Sequence, residues 1–278
     1  MRRVSTIEMS QDLEISFVTD KIELAVGAAK KAGIEILKFY GKEVELEAKT
    51  DGSPLTLADC ASHDLLSDAL SSTGIPIVSE EGESLLLEED RYWLVDPLDG
   101  TKDFLAQNDE FTINIALLEK GKPVLGVIHA PALGETYAGG IDQIPWFEKD
   151  EVCTALETVG KATQCRMAVS RFHDHPDVGV FADINQIEKR VEVGSALKYG
   201  LLARGEVDVL PRLVGSSEWD VAAGQAIVES AGGSVLDWHS LQPLHYGKPG
   251  RRNPRLLSYR SPYCANDFTL MNYEPELL

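Results

Sequence analysis

The run Trp93-Leu94-Val95-Asp96-Pro97-Leu98-Asp99-Gly100-Thr101-Lys102-Asp103-Phe104 concentrates groups that can do chemistry. An apolar strand leads straight into two carboxylates three residues apart, Asp96 and Asp99. At the mouth of a strand both can face one cavity. Pro97 stiffens the turn and removes a backbone donor. Gly100 lets the backbone approach a ligand closely. If a helix starts here, the N–H groups of Gly100 and Thr101 are placed to hold a phosphate. Asp-Gly alone is a common turn dipeptide, but two inward acids beside a buried strand require a cation or another partner.

Three further segments carry acids at expected element ends. Val78-Ser79-Glu80-Glu81-Gly82 closes a second short apolar strand, although paired glutamates before Gly also suit a solvated loop. In Lys49-Thr50-Asp51-Gly52-Ser53-Pro54-Leu55-Thr56-Leu57-Ala58-Asp59, Thr56 and Asp59 fit a capping box with Asp in place of the usual Glu. Capping is compatible with metal binding, because a carboxylate on the first turn can point outward from the helix end. Glu218-Trp219-Asp220-Val221-Ala222-Ala223-Gly224 puts Asp220 in an expected first helical turn, where the dipole favours an acid in any case. Read together, these hard oxygen donors, without nearby Cys or His ligands, select Mg²⁺ or Mn²⁺ over zinc. An empty cluster of this kind repels itself, so metal and substrate phosphate should bind cooperatively. Two cations about 3.5–4 Å apart can activate a water and stabilise a leaving oxygen in an in-line displacement.

The elements that must position these acids are read from periodicity. A helix is expected from about Asp20 to Tyr40, capped by Asp20 with Glu23 and ended by Gly41, after a loose polar start. A second follows Thr56. Strands are expected at Ile75–Val78, Tyr92–Val95, Phe111–Leu118, Val124–Ile128, Glu135–Ala138 and Pro145–Phe147, most of them in one antiparallel sheet. From about residue 160 strands and helices alternate: strands at Arg166–Val169, Arg190–Val193, Val207–Leu210 and Ser234–Trp238, helices at Pro176–Asn185, Ser195–Arg204 and Trp219–Ala231. This rhythm suggests an α/β layer. The fold class is α/β, an α+β half over residues 12–158 and an α/β half over 159–278, with the site between them. The tail after Tyr246, rich in Pro, Arg and Tyr, gives no pattern.

Composition limits the function. The 278 residues carry 45 Asp+Glu against 26 Lys+Arg, a net charge of −19, which repels a nucleic-acid polymer. A small phosphorylated ligand is still allowed, because bound cations invert the local sign. No apolar run approaches the roughly 18 residues of a membrane span. Met1–Thr6 is followed by no apolar stretch, so it does not read as a secretory signal. Cys60, Cys153, Cys165 and Cys264 have neither zinc-knuckle nor dithiol spacing, which suits free thiols in a cytoplasmic protein.

Asp96-Pro97-Leu98-Asp99-Gly100-Thr101, with the downstream Trp219-Asp220-x-Ala222-Ala223-Gly224, resembles the inositol monophosphatase superfamily of Mg²⁺-dependent, lithium-sensitive phosphatases. The resemblance runs from about Ile22 to Asn253 and implies a layered αβαβα sandwich. Lys102-Asp103-Phe104, the pattern from Lys49 to Asp59, and Gly194-Ser195-Ala196-Leu197-Lys198 resemble the bacterial 3′(2′),5′-bisphosphate nucleotidase branch. It implies that Glu80, Asp96 and the Leu98 carbonyl hold a first metal, and that Asp96, Asp99 and Asp220 hold a second. Asp59 would support a third, weaker metal and, with Thr101, orient the attacking water. Gly100 and Thr101 would grip the scissile phosphate. Residues matching His173, Ser195, Lys198 and Arg212 contact the nucleotide in that branch, including its non-scissile 5′-phosphate. An Arg fork and a Lys point charge are the donors that a phosphate without a metal needs, and Lys198 falls one expected helical turn from Ser195. Ala196 departs from the branch, which often has a second Ser there. The implied reaction is removal of the 3′-phosphate of adenosine 3′,5′-bisphosphate, with 3′-phosphoadenylyl sulfate as a second substrate. Inositol monophosphatase activity is the nearest alternative, and a non-catalytic nucleotide sensor a remote one. Two or three Mg²⁺ per site, with Mn²⁺ as a substitute and Li⁺ as inhibitor, belong to the same expectation; the oligomeric state stays open.

Overall fold

Two sheets, with helices outside and between them, build the structure, a computed structural model that describes residues 6–42, 46–48, 54–82, 89–172 and 174–273. The first sheet has seven strands in chain order: Ile77–Ser79, Arg91–Asp99, Thr112–Glu119, Lys122–Ala130, Glu135–Gly140, Trp146–Lys149 and Val152–Ala155. Only its first pair is parallel. The second sheet has five strands in the order Lys189–Val193, Arg166–Ser170, Val209–Arg212, Leu256–Tyr259 and Ser234–Asp237.

Strand alternation sets the layers. In Arg91–Asp99, Trp93 and Val95 pack with the helices Thr6–Leu37 and Leu57–Ser71 on one face. Tyr92 and Leu94 face the other way, into a core shared with the helices Leu197–Ala203 and Ala222–Ser230. The far face of the second sheet is covered by the helix Asp177–Ile184, whose Phe181 packs near Trp238 and Phe268. The order is therefore helix, sheet, helix, sheet, helix, an αβαβα sandwich. Among the described residues, no helix is long and apolar enough to cross a membrane.

Four sequence expectations need correction. The first helix spans Thr6–Leu37, so it runs through Asp20 without a cap there, and it takes in the described part, residues 6–12, of the expected loose start. Its buried stripe of Ile22, Ala25, Ala29, Ala32 and Ile36 carries the packing. Val152–Ala155, all exposed, adds an edge strand. Within the unreadable tail, Leu256–Tyr259 is a fully buried strand that bonds to both Val209–Arg212 and Ser234–Asp237. The last helix starts at Ala222, so Asp220 precedes it instead of sitting in its first turn.

A buried ion cluster ties the second sheet together. Asp208 is inaccessible to solvent. Its carboxylate accepts from Arg166 Nε at 2.9 Å, Arg166 N at 2.7 Å and Arg260 Nε at 2.7 Å. Burial alone would raise its pKa, but the Arg166 hydrogen bonds and the Arg260 charge bring it below the usual carboxylate value. Its contribution is therefore complete above the ordinary carboxylate range and is lost as pH falls through the lowered folded-state value. Asp208→Asn should cost about 3–5 kcal/mol, because it leaves buried guanidinium charge unmatched. A lowered urea midpoint at neutral pH is expected, and an unchanged one would contradict this role.

Candidate active site

The only parallel pair of the first sheet brings the first two acids together. Val78 pairs with Leu94 and Ser79 with Val95, so Glu80, just past its strand, and Asp96, still within its own, follow at the same level. Alternation puts both on the side of Val78 and Leu94, toward the middle helical layer. The Glu80 N–H donates to Val95 O at 3.1 Å, which holds that end of the pair. The antiparallel register with Thr112–Glu119 then breaks between Asp96 and Asp99. This bulge swings Asp99 back toward Asp96. The Leu98 N–H donates to Asp96 Oδ1 at 3.1 Å.

Asp220 comes from the second half of the chain, in the turn between Ser216–Ser217 and the helix Ala222–Ser230. Its Oδ2 accepts from Ser217 N at 3.0 Å and from Arg212 Nη2 at 3.2 Å. One carboxylate oxygen from each of Asp96, Asp99 and Asp220 lies within 4.8 Å of the others. Asp96 is held well above the usual carboxylate range, first by burial and then by the charges of Glu80, Asp99 and Asp220. Asp220 is also raised, by burial and by Asp99, with Arg212 opposing. The crowded acids therefore resist ionisation, a doubly charged ion between them would relieve that cost, and an all-oxygen donor set fits a hard divalent cation.

The other expected site residues divide. Glu80 stands beside Asp96. Leu98 is buried in the same strand, and Gly100 is left-handed at φ +84° immediately before the short helix Thr101–Ala106. The first N–H groups of that helix have no partner within it. Asp59 is buried on the first turn of Leu57–Ser71, in the expected capping box; its Oδ2 accepts from Thr56 N at 2.9 Å. Ser62, one turn on, donates to Pro97 O at 2.7 Å, which docks this helix against the acidic loop. Asp59 and Glu80 lie outside the group of three. Ser195 reaches the site: a Cβ on Gly100 would meet its Cβ at 3.0 Å. Arg212 is at the site through Asp220, and its buried Nε–H has no acceptor among the described residues.

Lys198 is placed differently from the expectation. Ser195 precedes the helix Leu197–Ala203, and the buried Lys198 turns its Nζ to Val193 O at 3.1 Å and Ser195 O at 2.6 Å. Burial, then Arg212, lowers its pKa to about 8, against the attraction of Asp99, Asp103 and Glu110. It braces the turn from beneath. His173 and Lys49 to Ser53 lie outside the described residues.

Sequence reasoning missed several supports. Asn114 Nδ2 donates to Asp99 Oδ2 at 3.3 Å, and Ala196 N donates to the same atom at 2.5 Å. Glu218, inaccessible to solvent, accepts from the N–H groups of Gly247 and Lys248, both at 3.1 Å, and fixes the chain two residues before Asp220. None has a local signal, since each pairs across long sequence separations.

Residues 19–272 match the inositol monophosphatase family, well past the Asn253 at which the sequence resemblance was expected to end. The chain is 37% identical over 225 residues to the 3′(2′),5′-bisphosphate nucleotidase CysQ of Escherichia coli K12, covering 78% of this chain and 90% of that protein. Its fold matches the crystal structure of CysQ from Bacteroides thetaiotaomicron with TM-score 0.77 and 32% identity, over 88% of this chain and 98% of that one. An inositol monophosphatase from Zymomonas mobilis matches with TM-score 0.70 and 27% identity, over 87% and 92%. The chain belongs to the inositol monophosphatase family.

The raised carboxyls give a pH-dependent test. A group whose folded-state pKa is raised costs stability as pH climbs through that value. A bound cation offsets that cost in the same range. Excess Mg²⁺ should therefore raise the melting temperature by several degrees near pH 8 and by much less near pH 6. Equal shifts at both values, or none, would contradict the assigned electrostatics.

Proposed function

We propose that this member of the inositol monophosphatase family is a cytoplasmic, Mg²⁺-dependent phosphomonoesterase. It removes the 3′-phosphate of adenosine 3′,5′-bisphosphate to give AMP and phosphate, and accepts 3′-phosphoadenylyl sulfate as a second substrate. The observation that carries the phosphatase reading is the convergence of Asp96, Asp99 and Asp220 within 4.8 Å, beside a left-handed Gly100 that opens a helix. The identity to the curated nucleotidase of Escherichia coli supports the choice of substrate.

In this reading Glu80, Asp96, Leu98 through its carbonyl, Asp99 and Asp220 hold two Mg²⁺, and Asp59 supports a third. Mn²⁺ substitutes and Li⁺ inhibits. The bound cations supply the positive charge that offsets the phosphoryl oxygens and the leaving 3′-oxygen. The N–H groups of Gly100 and Thr101 orient the phosphate at the start of the helix. Thr101 and Asp59 orient the water in line with the P–O3′ bond, which breaks as the water oxygen bonds to phosphorus. The Arg212 Nε–H, buried with no acceptor among the described residues, is a donor for the second phosphate. Ser195 and His173 complete that recognition. Lys198 contributes its charge from beneath the turn. The buried Lys198 leaves one fewer exposed cation for a second phosphate than a nucleotidase would use, and this favours inositol monophosphatase activity as the rival.

A phosphate-release panel separates the two. The ratio kcat/KM for adenosine 3′,5′-bisphosphate should exceed that for inositol 1-phosphate by at least about tenfold, or about 1.4 kcal/mol. The reverse preference would establish the rival. Asp96→Asn should reduce turnover to background on every substrate, and retained turnover would remove the proposed site.

A further inference from the structure

One turn of the second half is gripped by acids of the first half. Gly194, Ser195 and Ala196 connect the strand Lys189–Val193 to the helix Leu197–Ala203. Ser195 is left-handed, with φ +47°, a conformation disfavoured for a residue with a Cβ. Carboxylates of the first half grip the turn at both ends. The Gly194 N–H donates to Glu110 Oε2 at 2.7 Å, and the Ala196 N–H donates to Asp99 Oδ2 at 2.5 Å. Gly194 has no room for a side chain, since a Cβ there would lie 2.3 Å from Asp103 Oδ1. Ser195 in the middle faces Gly100.

Glu110 does more than accept one N–H. Its two oxygens take a fork from Arg171, Nε to Oε2 at 3.0 Å and Nη2 to Oε1 at 2.9 Å. Arg171 follows the strand Arg166–Ser170, neighbour to the strand that leads into the turn. The same guanidinium donates to Glu192 O at 3.3 Å. One partly exposed carboxylate from the first half therefore fixes two adjacent strand ends of the second. Bidentate Arg–carboxylate pairs of this kind fix geometry as well as adding energy.

We propose that Glu110 is a positioning residue for substrate recognition: through Gly194 and Arg171 it holds Ser195 in the conformation that faces the phosphate-binding Gly100. The partners of its carboxylate, Gly194 and Arg171, are not among the proposed metal ligands. This inference rests on the nucleotidase reading for the identity of the substrate, but not for its geometry.

Glu110 predicts a split between binding and turnover. A hydrogen bond to a charged group is worth about 1.5–3 kcal/mol, or roughly tenfold to more than a hundredfold. Glu110→Ala should raise KM for adenosine 3′,5′-bisphosphate by about tenfold or more. It should leave kcat and the Mg²⁺ concentration for half-maximal thermal stabilisation within about twofold of the unaltered protein. Glu110→Gln keeps an acceptor for the Gly194 N–H and should recover part of the lost affinity. An unchanged KM in Glu110→Ala would overturn the proposal. So would a fall in kcat together with a shift in the Mg²⁺ midpoint, since the residue would then act through the metal site. If the unaltered protein turned over inositol 1-phosphate alone, the nucleotidase reading would fail by itself. The same comparison of KM with kcat on that substrate would then decide the role of Glu110.

Discussion

The repulsion among Asp96, Asp99 and Asp220 is the constraint on which the architecture depends. Two full charges within 4.8 Å of each other, at an effective dielectric of about 20, repel by about 3.5 kcal/mol or more. No packing among the acids themselves can offset that. Each instead accepts hydrogen bonds from neighbouring donors. The Leu98 N–H holds Asp96, Asn114 and the Ala196 N–H hold Asp99, and the Ser217 N–H with Arg212 holds Asp220. The sheets around them sustain the arrangement, and bound cations would remove the remaining cost.

Because the acids come from both halves, the packing between the sheets becomes the geometry of the site. The first sheet supplies Glu80, Asp96 and Asp99, while the second half supplies Asp220 and the Gly194–Ala196 turn. The middle core, with Leu94, Tyr199 and Val221 among its buried members, fixes the distance between them. Tyr246 and Gln225 add a buried hydrogen bond of 2.6 Å behind the helix that follows Asp220. A shift of one sheet against the other would open the cluster before it disturbed any single strand. Glu110 and Arg171 cross the same seam at its solvent edge, where a charged pair can sit without full desolvation.

The parts of the site legible in sequence were those with local patterns. An apolar run ending in two aspartates around Pro97 announced its own geometry, and the Thr56–Asp59 capping box formed as read. What could not be read depends on distant neighbours. Lys198 reads as a phosphate-facing cation one helical turn from Ser195, yet the left-handed Ser195 breaks that spacing and two backbone carbonyls accept from the ammonium. Leu256–Tyr259 is only four residues long, between polar segments, and becomes a central strand because Val209–Arg212 and Ser234–Asp237 flank it. The first helix was cut at Asp20 because an acid followed by Glu23 imitates a start signal, while the buried stripe that identifies the helix lies mostly after it. Glu110 and Asn114 carry no motif, and the role of Glu218, although it opens the acidic segment around Asp220, is revealed only by its contacts.

Diffraction from crystals grown with Mn²⁺, collected near the manganese absorption edge, tests the account most directly. An anomalous peak bridged by Asp96, Asp99 and Asp220, and lost in Asp220→Asn, is the expected result. Manganese bound elsewhere, or those three carboxylates closing on one another with no ion between them, would contradict it.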